Sequence, residues 1–271
     1  MFDATAPMPP MQRSNGRVHV VMGRRGLLDL AQSGSARAML PRLSPDMPEI
    51  VFLNTSGGLA SGDRLSFAMD LRPGTRAMAT TQTAERAYRA EAAPARARVR
   101  LTIGEGGWLD WLPQETILFE GSRLERATEV ELAPGAGCLM LEMIVLGRLA
   151  MGESPVRLHL RDRRVVRQAG RILHHDALAL DDAALARRDT PAMLGGARAM
   201  ATLAMVAPHA PDLLPRARAL LDQPGVTAAA SAPPGRLVIR LLARDDWPLR
   251  RQVIRLLAAL RPDPLPRIWQ V

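Results

Sequence analysis

The chain has 271 residues, 47% apolar and 23% charged, which is the composition of an ordinary globular protein with length enough to bury a core. Its formal charge of +9 comes from 36 basic residues, all arginine, set against 27 acidic ones, while aromatics make up only 3% and Tyr88 is the single tyrosine. With the arginines scattered and no stacking platform, the charge does not describe a single-strand nucleic-acid binder, although a basic surface can still meet an acidic protein partner. The lone cysteine, Cys138 in "GCLMLEM", excludes an internal disulfide and a thiolate metal cluster, and its apolar neighbours describe an inert core thiol. No apolar run approaches the roughly 18 residues of a membrane span. The short Pro- and Met-rich start lacks the apolar core of a signal peptide, so the expectation is a cytoplasmic protein.

In chain order, residues 1–14 are expected to be a flexible segment, followed by one domain over 15–271, with a β-repeat body at 15–205 and an α/β portion at 206–271. "LNTSGGLASGDRLSF" (53–67) has the glycine spacing of a phosphate loop, but Asp63 and Arg64 stand where Lys and Ser or Thr are required. A carboxylate there repels phosphate, so Gly57, Gly58 and Gly62 are assigned to turns instead. Three stretches, from Arg64, Ala95 and Arg123, then share one pattern: an alternating run that ends in Leu-x-x-Gly. The pairs are Leu71/Gly74, Leu101/Gly104 and Leu132/Gly135, and a second apolar stretch starts four residues later at Met78, Trp108 and Leu139. A period of about 30 residues with strand-like alternation predicts a mainly β fold, a β-solenoid-like stack with glycine turns at Gly74, Gly104 and Gly135. "SPVRLHLRD" (154–162) reads as a weaker fourth copy.

Two helices are expected near the C-terminus. The first covers 211–223, with Asp212 as cap and Gly225 beyond its end. "GRLVIRLLA" (235–243) reads as a buried strand paired with "GVTAAAS" across Pro233-Pro234-Gly235. The second helix covers 245–262, capped by Asp246 and stopped by Pro262, with Leu249, Val253, Leu256, Leu257 and Leu260 on one face.

"LNTSGGLASGDRLS", "WLPQETILFEGSRL", "LGRLAMGE" and "PLPRIW", in this order and spacing, resemble the urease accessory protein D family, also called the H-type accessory protein. The resemblance runs from about residue 15 to the end. It implies a mostly β, non-enzymatic scaffold that binds apo-urease and the F-type accessory protein, which recruits the G-type GTPase carrying nickel. It implies no tightly bound cofactor, with nickel at most in transit.

Three acids are candidates for such transit: Asp63, Glu142 in the apolar "LMLEMIVLG", and Asp176. Ni²⁺ accepts carboxylate and water ligands, and an ion that must be handed on needs a weak, oxygen-rich route that gathers the three around one internal cavity. The plainer alternative is that Asp63 stabilises its turn while Glu142 and Asp176 pair with arginines. His174 and His175 are adjacent, so on a strand they face opposite ways and cannot readily grip one ion. Arg267 and Trp269 are candidates for partner docking, because these residue types dominate interface energies; the alternative is that Trp269 folds onto the protein's own core. Two other functional classes fit the sequence less well. Ser56 or Ser61 with a His and an Asp would make a hydrolase, but neither serine sits in a G-x-S-x-G elbow. A basic nucleic-acid module would show salt-sensitive binding to duplex DNA.

Overall fold

The computed structural model of the protein describes residues 13–41 and 47–270. The segment expected to be flexible lies outside the described residues apart from Arg13 and Ser14. The chain opens with β1 (Asn15–Gly23), β2 (Gly26–Ser33), β3 (Ala36–Met39) and β4 (Glu49–Asn54). It then alternates between two sheets. β5 (Arg64–Leu71), β8 (Ala95–Ile103), β11 (Ser122–Leu132) and β13 (Leu158–Gln168) join β1 as parallel neighbours in the first sheet, with β2 and β14 (Arg171–Leu180) as antiparallel edges. β6 (Arg76–Thr81), β9 (Trp108–Leu112) and β12 (Gly137–Leu146) stack parallel on β4 in the second sheet. The short strands β7 (Glu85–Ala87) and β10 (Thr116–Leu118) lie on the return paths and pair with one another.

This is the solenoid-like stack that the repeats predict, and its cause is visible in each strand. On β5, Leu65, Phe67, Met69 and Leu71 are buried while the residues between them face outward, so each layer supplies one apolar row to the space between the sheets. The register differs from the sequence reading in one layer. Leu71 lies beside Ile103, and Ile103 beside Leu132, so the middle repeat is shifted by two residues. Its turn glycine is Gly106, not Gly104: Gly74, Gly106 and Gly135 have φ of 64°, 62° and 70°. Gly104 does not have positive φ; it is small because a Cβ there would come within 2.7 Å of the Leu71 carbonyl oxygen and the Pro73 nitrogen. The same slip pairs Met78 and Leu139 with Asp110 rather than with Trp108. Residues two apart on a strand share a face, so Leu101 imitates the position that Ile103 holds.

"SPVRLHLRD" leads into the next layer, since β13 continues the parallel stack before β14 turns back and ends it. The second sheet is extended by β15 (Ala199–Val206), β17 (Arg236–Ala243) and β16 (Val226–Ser231), all antiparallel. The C-terminal strands therefore continue the sheet of the body. The short helix α1 (Asp182–Ala186) follows β14, and α3 (Asp246–Leu260) covers the outer face of the second sheet with the five expected residues buried. Its cap is Asp245, whose carboxylate accepts from Trp247 N at 2.9 Å, one residue before the expected cap. The other expected helix is shorter than its pattern. A 3₁₀ turn (Ala210–Leu213) runs into α2 (Leu214–Arg218), because Pro215 has no N–H to give to the Pro211 carbonyl. Asp212 lies inside that turn and makes no cap.

Strand β12 is buried along its whole length. Cys138, Met140, Ile144 and Leu146 face the space between the sheets, while Leu139, Leu141, Met143 and Val145 meet α3 and its neighbours on the other side. A strand covered on both faces explains the unbroken apolar run, and it directs Glu142 inward.

Candidate functional site

The apolar rows between the sheets change character at one end. On β11 the inward positions read Leu124, Arg126, Thr128, Val130; on β13 they read Leu160, Asp162, Arg164, Val166. Arg126 therefore reaches both sheets' acids. Its Nη2 lies 2.8 Å from Asp162 Oδ2 and its Nε donates to Oδ1 at 3.1 Å, a two-point grip on one carboxylate. Its Nη1 donates to Thr116 Oγ1 at 2.8 Å and lies 2.6 Å from Glu142 Oε1. That last approach is close but poorly aligned, so Oε1 has no well-directed hydrogen bond. From Asp162 the chain of charge continues to Arg164 at 3.6 Å, from Arg164 to Asp176 at 3.2 Å, and from Asp176 to the exposed Arg240 at 3.0 Å.

Electrostatics follow the burial. Burial pushes the Glu142 carboxyl up to about 7 against the pull of Arg126. Burial would also raise Asp162, but the Arg126 guanidinium outweighs it and holds that carboxyl below its ordinary value. Glu85 is pushed up to about 7 by burial, with Asn54 donating to both of its oxygens. Glu85, Gln114, Thr116, Arg126 and Glu142 share an internal cavity of about 50 Å³, enough space for water.

The three acids picked from the sequence do not meet in one cavity. Glu142 lines this one, and Asp176 connects to it only through Arg164, Asp162 and Arg126. Asp63 stands apart: it accepts from Ser14 N and Ala60 N, both at 2.8 Å, and so closes the turn that precedes β5. Gly57, Gly58 and Gly62 in that loop have φ of 77°, 149° and 78°. His174 is buried beside Asp176, and burial lowers it to about 4, so it is neutral at pH 7; His175 faces the other way. Ser56 donates to Asn54 Oδ1 and Ser61 to the Ala93 carbonyl, with no histidine at either hydroxyl. Burial pushes the Cys138 thiol up to about 12, which removes it as a nucleophile. Among the described residues, no group of three or more His, Cys, Asp and Glu is placed to hold a metal ion.

Of the two C-terminal docking candidates, Trp269 takes the alternative given with it and folds onto the protein's own core. Trp269 is fully buried: its Nε1 donates to the Leu112 carbonyl at 3.0 Å, and the Arg250 guanidinium stacks 4.5 Å from its ring. It completes the second core. Arg267 is exposed.

Residues 14–270 match the family model described as UreD urease accessory protein. The chain belongs to the UreD urease accessory protein family. It is 72% identical over 271 residues to the urease accessory protein UreD of Paracoccus denitrificans, covering 100% of this chain and 97% of that one. It is 58% identical over 270 residues to the UreD of Cereibacter sphaeroides strain ATCC 17025, with 98% of each chain covered. The UreD of Dinoroseobacter shibae is 48% identical over 275 residues, covering 99% of this chain and 96% of its own.

In this UreD family member, sequence reasoning passed over Arg126, Asp162, Arg164 and Glu85. The signal for the first three was present, because each sits at an inward position of an alternating strand where leucine and valine are otherwise found. It also passed over the pair Asp110–Arg261, 2.6 Å apart with both side chains 1% exposed, which ties β9 to the end of α3. Their partnership spans 151 residues and leaves no local mark.

Proposed function

We propose that the protein is a non-enzymatic cytoplasmic scaffold for nickel insertion into apo-urease, bridging urease and the F-type accessory protein and, through it, the G-type GTPase. Membership of the UreD family carries this reading. The fold agrees with a scaffold: its interior is filled by side chains, both candidate serines are tied up without a histidine, and no helix among the described residues is long and apolar enough to cross a membrane. Nickel, as cargo, has one chemically reasonable contact inside the protein. Glu142 borders an internal cavity with Glu85 and has one oxygen without a directed donor. Arg126 opposes a cation there, but its two-point grip on Asp162 lets it release Glu142 without losing its charge partner. Asp176, held by two arginines, lies further along the same chain of charge; Asp63 serves its turn. No tightly bound cofactor enters this reading.

Co-purification tests it directly. Tagged protein should retain apo-urease subunits and the F-type partner at stoichiometric levels, and the GTPase only when the F-type partner is present. Retention of none of them, or urea or GTP turnover by the purified chain alone, would overturn it.

A further inference from the structure

The outer face of the first sheet carries charge that neither the fold nor nickel delivery uses. The strands β1, β5, β8, β11, β13 and β14 lie side by side, and their outward residues form rows across the sheet. One row runs Asn15, Arg64, Arg96, Glu125, Arg161, Ala179; the next runs Arg17, Ser66, Arg98, Ala127, Arg163, Ala177. Together they line an open groove of about 1170 Å³. Arg96 pairs with Glu125 at 2.9 Å and Arg163 with Glu129 at 2.7 Å. Arg17, Arg64, Arg98 and Arg161 are exposed and have no carboxylate within 4.0 Å among the described residues. Four unpaired guanidinium groups in one concavity repel each other, and an anion removes that repulsion.

We propose that this groove binds an acidic, extended segment of a partner polypeptide. The spacing suits it: residues two apart on one strand are about 7 Å apart, and so are alternate side chains of an extended chain. Arg96 with Arg98, and Arg161 with Arg163, then set guanidinium groups at the repeat of alternating carboxylates; Arg98 and Arg161 are free to grip one at two points, while Arg96 and Arg163 share theirs with Glu125 and Glu129. A polypeptide fits better than a nucleic acid. The lining contains no aromatic side chain for bases to stack on, and its floor is alanine and serine. Glu125 in the lining repels any anion, but an extended peptide can turn a backbone N–H toward it, which a phosphate backbone lacks. Residues 1–12, which precede β1 in the sequence, hold a single acid, Asp3, and cannot supply the charge. Arg126 and Asp162 contribute to the groove's lining but turn their side chains to the other face of the sheet, so substitutions of the outward arginines leave the buried charges in place.

The test is fluorescence anisotropy with a labelled dodeca-glutamate peptide and a single-stranded oligonucleotide of equal charge. Two triple variants are compared: Arg64→Ala/Arg98→Ala/Arg161→Ala in the groove, and Arg187→Ala/Arg216→Ala/Arg251→Ala, also exposed but elsewhere. Three exposed charge contacts together amount to about a tenfold change in affinity. The groove variant should bind the peptide about tenfold more weakly than the parent, the other variant should stay within about twofold, and the parent should prefer peptide to oligonucleotide. Equal losses in both variants, undiminished binding by the groove variant, or tighter binding of the oligonucleotide would each overturn the proposal.

Discussion

Replacing Trp269 with Ala tests whether the C-terminal segment is core or docking surface. The indole is fully enclosed by the second core, its N–H donates to the Leu112 carbonyl, and Arg250 stacks on its face. Truncating a buried tryptophan costs about 3–5 kcal/mol through lost contacts and the cavity left behind. The orphaned carbonyl and the lost cation–π contact push the figure toward the upper end. For a chain of this size, about 2–4 °C in the thermal midpoint accompanies each kcal/mol, so Trp269→Ala should melt roughly 10–15 °C lower. Trp269→Phe keeps most of the ring volume but loses the N–H donor, and should cost only about 1–2 kcal/mol. Urea melts read by far-UV circular dichroism measure both. Deletion of 264–271 should likewise lower the midpoint. The assignment to the core is wrong if Trp269→Ala loses less than about 1 kcal/mol.

Other outcomes follow from the same geometry. Gly106→Asn should cost less than about 1 kcal/mol because asparagine tolerates positive φ, whereas Gly104→Asn should cost several, since its Cβ strikes the backbone of the preceding layer; urea midpoints separate the two. Asp110→Asn leaves Arg261 buried beside a neutral amide and should destabilise by about 3–5 kcal/mol, measured the same way. Glu142 gives a pH signature. Its folded-state value of about 7 lies above the ordinary 4.5, so the folded protein holds the extra proton between those values, and stability falls as pH rises through that window. Glu142→Gln removes this titration, so its stability relative to the parent should rise by about 1–3 kcal/mol between pH 5 and pH 8. A difference that does not change with pH would contradict the burial of that carboxyl.

Much of the fold was legible because alternation and turn glycines are local signals. The runs ending at Leu71 and Leu132 gave both strand and turn, and the amphipathic pattern of 245–262 gave α3 to within two residues at either end. What period two cannot give is register: Leu101 and Ile103 satisfy one pattern equally well, and only the pairing of neighbouring layers selects Ile103. The helix expected over 211–223 is present but short, because Asp212 and Gly225 bracket a longer segment than the missing N–H of Pro215 allows. For the site, Glu142 stood out as an acid in an apolar run, but its counter-ion Arg126 looked like one more charge on a strand rich in arginine and glutamate. Only the common face of Leu124, Arg126 and Thr128 separates the inward arginine from the outward ones. Which of its two alternatives Trp269 takes was not legible, because the sequence shows the aromatic but not the distant Leu112 carbonyl that accepts from its N–H.

Under the proposed function, apo-urease acquires its nickel with the help of this protein. The most direct measurement is activation of purified apo-urease by Ni²⁺ and GTP with the F-type and G-type accessory proteins, comparing parent, Glu142→Gln and no added protein. Activation should depend on the parent. Glu142→Gln, checked to be folded and to assemble to the same extent, should deliver nickel more slowly. Full activation without the protein would contradict its role as scaffold, and normal activation by an equally assembled Glu142→Gln would contradict passage of nickel past that carboxylate.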